Sequence, residues 1–250
     1  MEKYKVYKKN KIGYYFFEGQ KHNNINLVII HGVQSTKGFL VSNNKTLSDY
    51  NQYYIDLPGH GDSDDTGYTA DNYINSIMEF IKDLDNVVLI GHSMGGALTV
   101  GVLDKKPNNV IGAVIAGGAL DFNYISQDLK AQIVSGNITE GFEQYIPDNS
   151  HPDIIEAVTT DASDEVALKD LRVILDLDVS KGIDEVEVPV KVISGREDKV
   201  VPPYKSEEIA ARVKNGEFVL LNNHGHRLAI ICKQHIKFLV DTITSEIFNN

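Results

Sequence analysis

The chain has 250 residues, 42% of them hydrophobic and 24% charged. That balance suits one globular domain with a sizeable core, and it argues against wholesale disorder. The formal net charge of -11 opposes binding to nucleic acid or to anionic lipid, both of which need a positive surface. One cysteine, Cys232, leaves no intramolecular disulfide to form. The start lacks the apolar run of a signal peptide, and no stretch approaches the roughly 20 apolar residues that span a bilayer. A cytoplasmic protein with no stable membrane insertion is expected.

Val6 to Lys8 and Tyr14 to Glu18 read as an opening pair of strands. Ile25 to Ile30 is a buried-strand pattern that ends at His31-Gly32. Gln52 to Asp56, Val87 to Ile90, Val110 to Ala116, Val190 to Ser194 and Phe218 to Leu221 follow the same pattern. Near-continuous β-branched runs fit strands covered on both faces, as in a parallel sheet. Helical patterns fill the gaps. Asn72 to Leu84 sets Tyr73, Ile77, Phe80, Ile81 and Leu84 on one face at helical spacing. Ala97 to Asp104, Lys205 to Val213 and Ile230 to Phe248 are the other helices of the rhythm. Alternating strand and helix predicts an α/β fold with a mostly parallel, doubly wound sheet.

Residues 120–186 break that alternation. They hold no strong strand, and Ile154 to Val158 and Leu168 to Leu177 read as short helices. A structureless loop of this length is improbable. The expected division is a core of residues 1–119 and 187–250 with a small helical insertion, 120–186, between them. The chain shows no internal repeat and no low-complexity tract.

The chemistry is concentrated at Gly91-His92-Ser93-Met94-Gly95-Gly96. It fits G-x-S-x-G between a strand and a helix, the context in which that motif presents a nucleophilic serine on a sharp turn. Gly91 and Gly95 remove side chains where the strand folds tightly into the helix. The Met94 amide lies at the helix N-terminus, where donors are free and negative charge is favoured.

Several motifs in order make the chain resemble the α/β-hydrolase superfamily, and small bacterial carboxylesterases and monoacylglycerol or acyl-carrier esterases within it. His31-Gly32-Val33 resembles the family's HG loop. Asp56-Leu57-Pro58-Gly59-His60-Gly61-Asp62-Ser63 resembles its D-x-P-G-x-G-x-S pattern, and Gly91 to Gly96 its nucleophile elbow. Gly195 to Pro202 resembles the acid loop, and Gly225-His226 the terminal histidine loop. The resemblance implies an α/β-hydrolase fold, with the insertion as a cap and no cofactor.

It also implies roles. Ser93 is the expected nucleophile, His226 the base and Asp198 the acid that orients it. The backbone amides of Val33 and Met94 are the expected oxyanion donors. Asp121, after the Val110 strand, is the second candidate for the acid. His224 lies on the same loop as His226, but the family's base directly follows a glycine, which favours His226. His31, Gln34, His92 and His224 are expected near substrate. His22, His151 and His235 match no motif. Cys232, beside Ile230 and Ile231, reads as core. No histidine has the spacing of a metal site, and the glycines of the elbow lack the lysine of a phosphate loop. The expected reaction is cleavage of a small-molecule carboxylic ester through an acyl-enzyme. Thioester or C–C bond hydrolysis, lyase chemistry and acyl transfer are alternatives on the same residues. A non-catalytic small-molecule receptor is a further one.

Overall fold

A computed structural model describes residues 4–21, 24–136 and 151–248. Eight strands form one sheet: β1 (Val6–Lys9), β2 (Ile12–Phe17), β3 (Asn26–Ile30), β4 (Asn51–Ile55), β5 (Val87–His92), β6 (Val110–Ala116), β7 (Val190–Gly195) and β8 (Gly216–Leu221). The order across the sheet is β1-β2-β4-β3-β5-β6-β7-β8. β1 and β2 pair antiparallel and β2 joins β4 antiparallel; every later pairing is parallel.

Alternate residues of the central strands enter different cores, as the period of two in a strand requires. Val28, Ile30, Leu89, Ile115 and Val192 join the side chains of α1 (Ala70–Ile81), α2 (Met94–Asp104) and α6 (Pro203–Arg212). Leu27, Ile29, Val88, Ile90, Val114 and Ile193 join α7 (Leu228–Ile231), α8 (Lys233–Phe248) and the segment from Phe39 to Tyr50. Both faces are covered, which is why these strands carry almost no polar residue.

Between β6 and β7 stand α3 (Gln127–Ser135), α4 (Pro152–Val158) and α5 (Asp164–Asp176). A single antiparallel bridge, Asp121 to Asp178, closes the base of this insertion. The helices expected at Ile154 to Val158 and Leu168 to Leu177 correspond to α4 and α5. Residues 137–150 of the insertion lie outside the described residues, as does His22.

Three details differ from expectation. α2 begins at Met94, three residues before Ala97, because the glycine pair continues the helix directly from the turn. The terminal helix, expected unbroken from Ile230, is interrupted at Cys232, whose ψ of 42° ends α7 before α8 starts. α3 was not expected. Its apolar pattern is weak, but Ser126 caps it by accepting from the Leu129 amide, and Gly136 ends it in the left-handed conformation.

Candidate functional site

Ser93 stands alone between the last residue of β5 and the first of α2. Its φ of 55° and ψ of -121° fall where a side chain is strained, at a cost of order 1–3 kcal/mol. Neighbouring hydrogen bonds hold it there. Its amide donates to Ala116 on β6 at 3.0 Å, and its carbonyl accepts from Gly96 and Ala97 at 2.9 and 3.2 Å. A Cβ at Gly91 would lie 2.3 Å from the Gly95 carbonyl oxygen, and one at Gly95 would lie 2.4 Å from that of His31. The turn therefore excludes side chains at both positions.

The loops after β7 and β8 bring two more groups to the same sheet edge. His226 Nε2 is 2.9 Å from Ser93 Oγ, and His226 Nδ1 is 2.8 Å from Asp198 Oδ2. The other carboxylate oxygen of Asp198 accepts from the amides of Val200 and Val201, both at 2.9 Å. Asp198 is thus held by its own loop while it receives the histidine N–H. All three side chains are buried. They sit at the carboxyl ends of parallel strands, where open α/β sheets bind ligands. Asp121, the other acid considered, instead pairs with Lys205 Nζ at 3.0 Å and accepts from the Asn123 amide.

His92 supports the His226 loop from below. Its Nε2–H donates to the His226 carbonyl at 2.9 Å, and the two rings lie 4.9 Å apart. Burial, reinforced by the neighbouring His226, pushes the His92 pKa down to about 3. The ring is neutral, and its Nδ1 is buried without a hydrogen-bond partner.

The loop after β3 approaches Ser93 from the other side. The Gly32 carbonyl accepts from His31 Nδ1–H at 2.8 Å and from the Ser35 amide at 3.3 Å. In a trans peptide the Val33 N–H then points the opposite way. Gln34 follows in the left-handed region at φ 64°. Its amide donates to Asp170 Oδ2 at 2.9 Å, and its carbonyl accepts from Ala162 at 2.6 Å. Thr36 Oγ1 donates to the Thr160 carbonyl at 2.8 Å. Thr160, Ala162 and Asp170 therefore tie the insertion to this loop.

Asp170, on α5, is fully buried and was not singled out in the sequence. Beyond Gln34 it accepts from Tyr73 Oη–H at 2.8 Å and lies 2.9 Å from His60 Nε2. The other His60 nitrogen, Nδ1, faces the Pro58 carbonyl at 3.0 Å and must donate to it. Burial opposes charge on His60, but the Asp170 hydrogen bond and charge outweigh it and raise its pKa. Asp170 thus favours the charged form of His60. A signal for Asp170 did exist. It shares the stripe of Leu171 and Ile174, where a charge among apolar neighbours marks a buried partner.

A cavity of about 1150 Å³ opens above Ser93. Its walls are largely apolar, with Phe39 from the core and Phe122, Leu129, Ile154 and Leu171 from the insertion region. Asp161 and Arg227 add polar points. Burial raises the Asp161 carboxyl to about 6, against the pull of Arg227. Gln34 and His92 border the cavity.

The placement of His31 and His224 is corrected. His31 is buried beneath the loop, where Nε2 accepts from the Leu57 amide at 3.0 Å. His224 borders a separate surface pocket with Thr46, Cys232 and His235. Its backbone amide donates to Glu197, and its ring bonds the Asn222 carbonyl. That loop passes close over Gly195, where a side chain would meet the His224 carbonyl. His151 caps α4 by accepting from the Asp153 amide. Burial raises the Cys232 thiol to about 11, which makes it a poor nucleophile. Among the described residues, no three His, Cys, Asp or Glu side chains are grouped as metal ligands, and no helix is long and apolar enough to cross a membrane.

The chain is similar to known proteins in fold and sequence. A lipase-esterase related protein from Clostridium acetobutylicum superposes with a TM-score of 0.85 at 25% identity, over 92% of this chain and 99% of that one. A proline iminopeptidase from Saccharolobus solfataricus is 24% identical over 85% of this chain and 82% of its own length. The (E)-2-((N-methylformamido)methylene)succinate hydrolase of Acinetobacter baylyi is 23% identical over 91% of this chain and 92% of its own. Residues 27–232 match the model of the alpha/beta hydrolase family. With that match spanning most of the chain and this sheet beneath it, the chain belongs to the alpha/beta hydrolase family and is a hydrolase.

Proposed function

We propose that the protein is a serine hydrolase that cleaves carboxylic esters of neutral, largely apolar substrates. The observation that carries this reading is the unbroken relay from Asp198 through His226 to Ser93 beneath an apolar cavity. The Asp198 carboxylate accepts the Nδ1–H of His226, which leaves the Nε2 lone pair facing the serine hydroxyl. Ser93 Oγ attacks the ester carbonyl carbon as His226 takes its proton. The carbonyl π electrons move to oxygen, and the Val33 and Met94 amides receive that oxyanion at the N-terminus of α2. Collapse expels the alcohol, which takes the proton from His226. Water repeats the sequence on the acyl-enzyme and releases the acid.

The insertion acts as a cap. Phe122, Leu129, Ile154 and Leu171 give the acyl or alcohol group an apolar surface. The same cavity sets Asp161, Asp164 and Glu165 against Lys199 and Arg227, so neither sign of charge dominates it and its apolar wall favours uncharged substrates.

The test is hydrolysis of p-nitrophenyl acetate and butyrate, beside a thioester and a diketone panel, with fluorophosphonate labelling of Ser93. Ester turnover that vanishes in Ser93→Ala, with one labelled serine per chain, is the expected result. Equal ester rates in wild type and Ser93→Ala would overturn the mechanism. Turnover of diketones or thioesters alone would overturn the ester assignment and leave the relay.

A further inference from the structure

The buried carboxylate of Asp170 belongs to the insertion, yet it reaches the loop that faces Ser93 at Gln34, as well as His60 and Tyr73 of the core. Its Oδ2 takes the Gln34 amide at 2.9 Å and faces His60 Nε2 at 2.9 Å, while Oδ1 takes the Tyr73 hydroxyl at 2.8 Å. We infer that Asp170 is a positioning residue for the oxyanion loop, so that the cap completes the hydrolytic machinery as well as enclosing the substrate. This rests on the reading of Val33 as an oxyanion donor.

Two peptide planes in succession decide where the Val33 N–H points. The first, Gly32–Val33, is held at its carbonyl by His31 Nδ1–H and the Ser35 amide. The second, Val33–Gln34, is held at its amide by Asp170. Gln34 sits in the left-handed region, which a residue with a Cβ does not hold without support. An ionised acceptor gives a hydrogen bond roughly twice as strong as a neutral one, so the Asp170 bond restrains Gln34 at its amide while the Ala162 amide holds its carbonyl.

Asp170 also reaches the first plane indirectly. It pairs with His60, whose ring lies 4.8 Å from that of His31. The remaining ties from the insertion are the Ala162 amide to the Gln34 carbonyl, Thr36 Oγ1 to the Thr160 carbonyl, and the exposed Gln34 side-chain amide to Asp164 Oδ1 at 3.3 Å. Among these ties Asp170 brings the buried carboxylate that takes a backbone amide of the loop, that of the residue next to Val33.

The experiment compares wild type, Asp170→Ala, Asp170→Asn and Tyr73→Phe on p-nitrophenyl butyrate, with active sites counted by fluorophosphonate labelling. It adds the inhibition constant of an alkyl trifluoromethyl ketone. Ser93 Oγ bonds to the carbonyl carbon of that ketone, its proton passes to His226, and the carbonyl oxygen becomes an oxyanion. The adduct therefore reports the oxyanion hole directly.

In Asp170→Ala, kcat per labelled site should fall about 10- to 100-fold, below the loss typical of deleting an oxyanion donor outright. KM should stay within about threefold, because the ester ground state carries no oxyanion. The ketone should bind more weakly by a factor close to the kcat loss. Asp170→Asn keeps an oxygen for the Gln34 amide and should retain kcat within about fivefold. Tyr73→Phe lowers the thermal midpoint but leaves Gln34 held, and its kcat should stay within about twofold.

If Asp170→Ala does not fold, Asp170→Glu carries the test. It keeps the charge and displaces the acceptor by one methylene, and the same paired losses are expected. Unchanged kcat per labelled site in Asp170→Ala or Asp170→Glu would overturn the inference, as would a kcat loss without weaker ketone binding. A wild type that neither labels at Ser93 nor turns over esters would overturn the ester-hydrolase reading itself.

Discussion

The two histidines separated by Gly225 differ in what their rings can reach. His226 lies between Ser93 and Asp198, at 2.9 and 2.8 Å, while His224 bonds the Asn222 carbonyl and borders another pocket. On the proposed mechanism, His226→Ala removes the only base on Ser93 and should lower ester kcat by at least about a thousandfold. His224→Ala should keep kcat within about twofold. Steady-state kinetics on p-nitrophenyl butyrate check both, and the reverse pattern would exchange their roles. Asp198→Asn keeps the shape but offers an amide where the imidazole N–H needs an acceptor. A loss of roughly 10²- to 10⁴-fold in kcat is expected. These residues were legible because each stands beside glycines in a recognisable loop. Lys37 was not, because no short pattern surrounds it, and the charge of Asp170 on an apolar stripe marks burial without naming its partners. Lys37 is buried with its ammonium on Asp56 and Asp62, and only the packed structure brings residues 37, 56 and 62 together.

At the scale of elements, the six parallel strands and the elbow were readable because apolar β-branched runs and glycine-bounded turns are local signals. What was not readable depended on distant contacts. α3 carries too little apolar periodicity to stand out, and the break at Cys232 has neither glycine nor proline to mark it. The reach of α5 to the loop at Gln34 spans more than a hundred residues of sequence, so no window of the chain reveals it. The junction of β3, β5 and α2 makes a graded prediction. A methyl at Gly95 meets two backbone oxygens, those of His31 and Ile30 at 2.4 and 2.5 Å, which cannot turn aside. A methyl at Gly96 meets the Ile115 Cγ2 at 2.9 Å and the Gly118 Cα at 3.1 Å, both farther than the two oxygens at Gly95. Gly95→Ala should therefore destabilise by about 3 kcal/mol or more, despite the better helix propensity of alanine. Gly96→Ala should cost less than about 1.5 kcal/mol. Urea midpoints of the two variants check the order, and equal costs would show that α2 can move away from β3.

For the whole molecule, three buried histidines give stability a pH dependence whose sign can be worked out. His92, held down to about 3 mainly by burial and then by His226, and His31, also lowered by burial and by His60, stay neutral when folded. Unfolded, each takes a proton near 6.5. Below that pH the unfolded chain binds more protons, so their contribution to stability is lost as pH falls. The slope approaches about 1.4 kcal/mol per pH unit for each histidine. His60 is opposite: burial opposes its charge, Asp170 outweighs burial, and its folded pKa is raised. Its stabilisation is complete below about 6.5 and is lost as pH rises through the folded value. Asp161, raised to about 6 by burial, takes up a proton in the folded state between pH 6.5 and 5 and offsets one of the neutral histidines. A single curve therefore mixes opposing signs, and a difference isolates one of them. His92→Gln places an amide donor near the position of Nε2 and removes the titrating ring. Urea unfolding of wild type and His92→Gln at pH 7, 6 and 5 should show the wild type's advantage shrinking by about 1 kcal/mol between pH 6 and 5. If that advantage is constant with pH, the His92 ring takes a proton in the native protein near its ordinary value, and the unpartnered Nδ1 is where that proton would go.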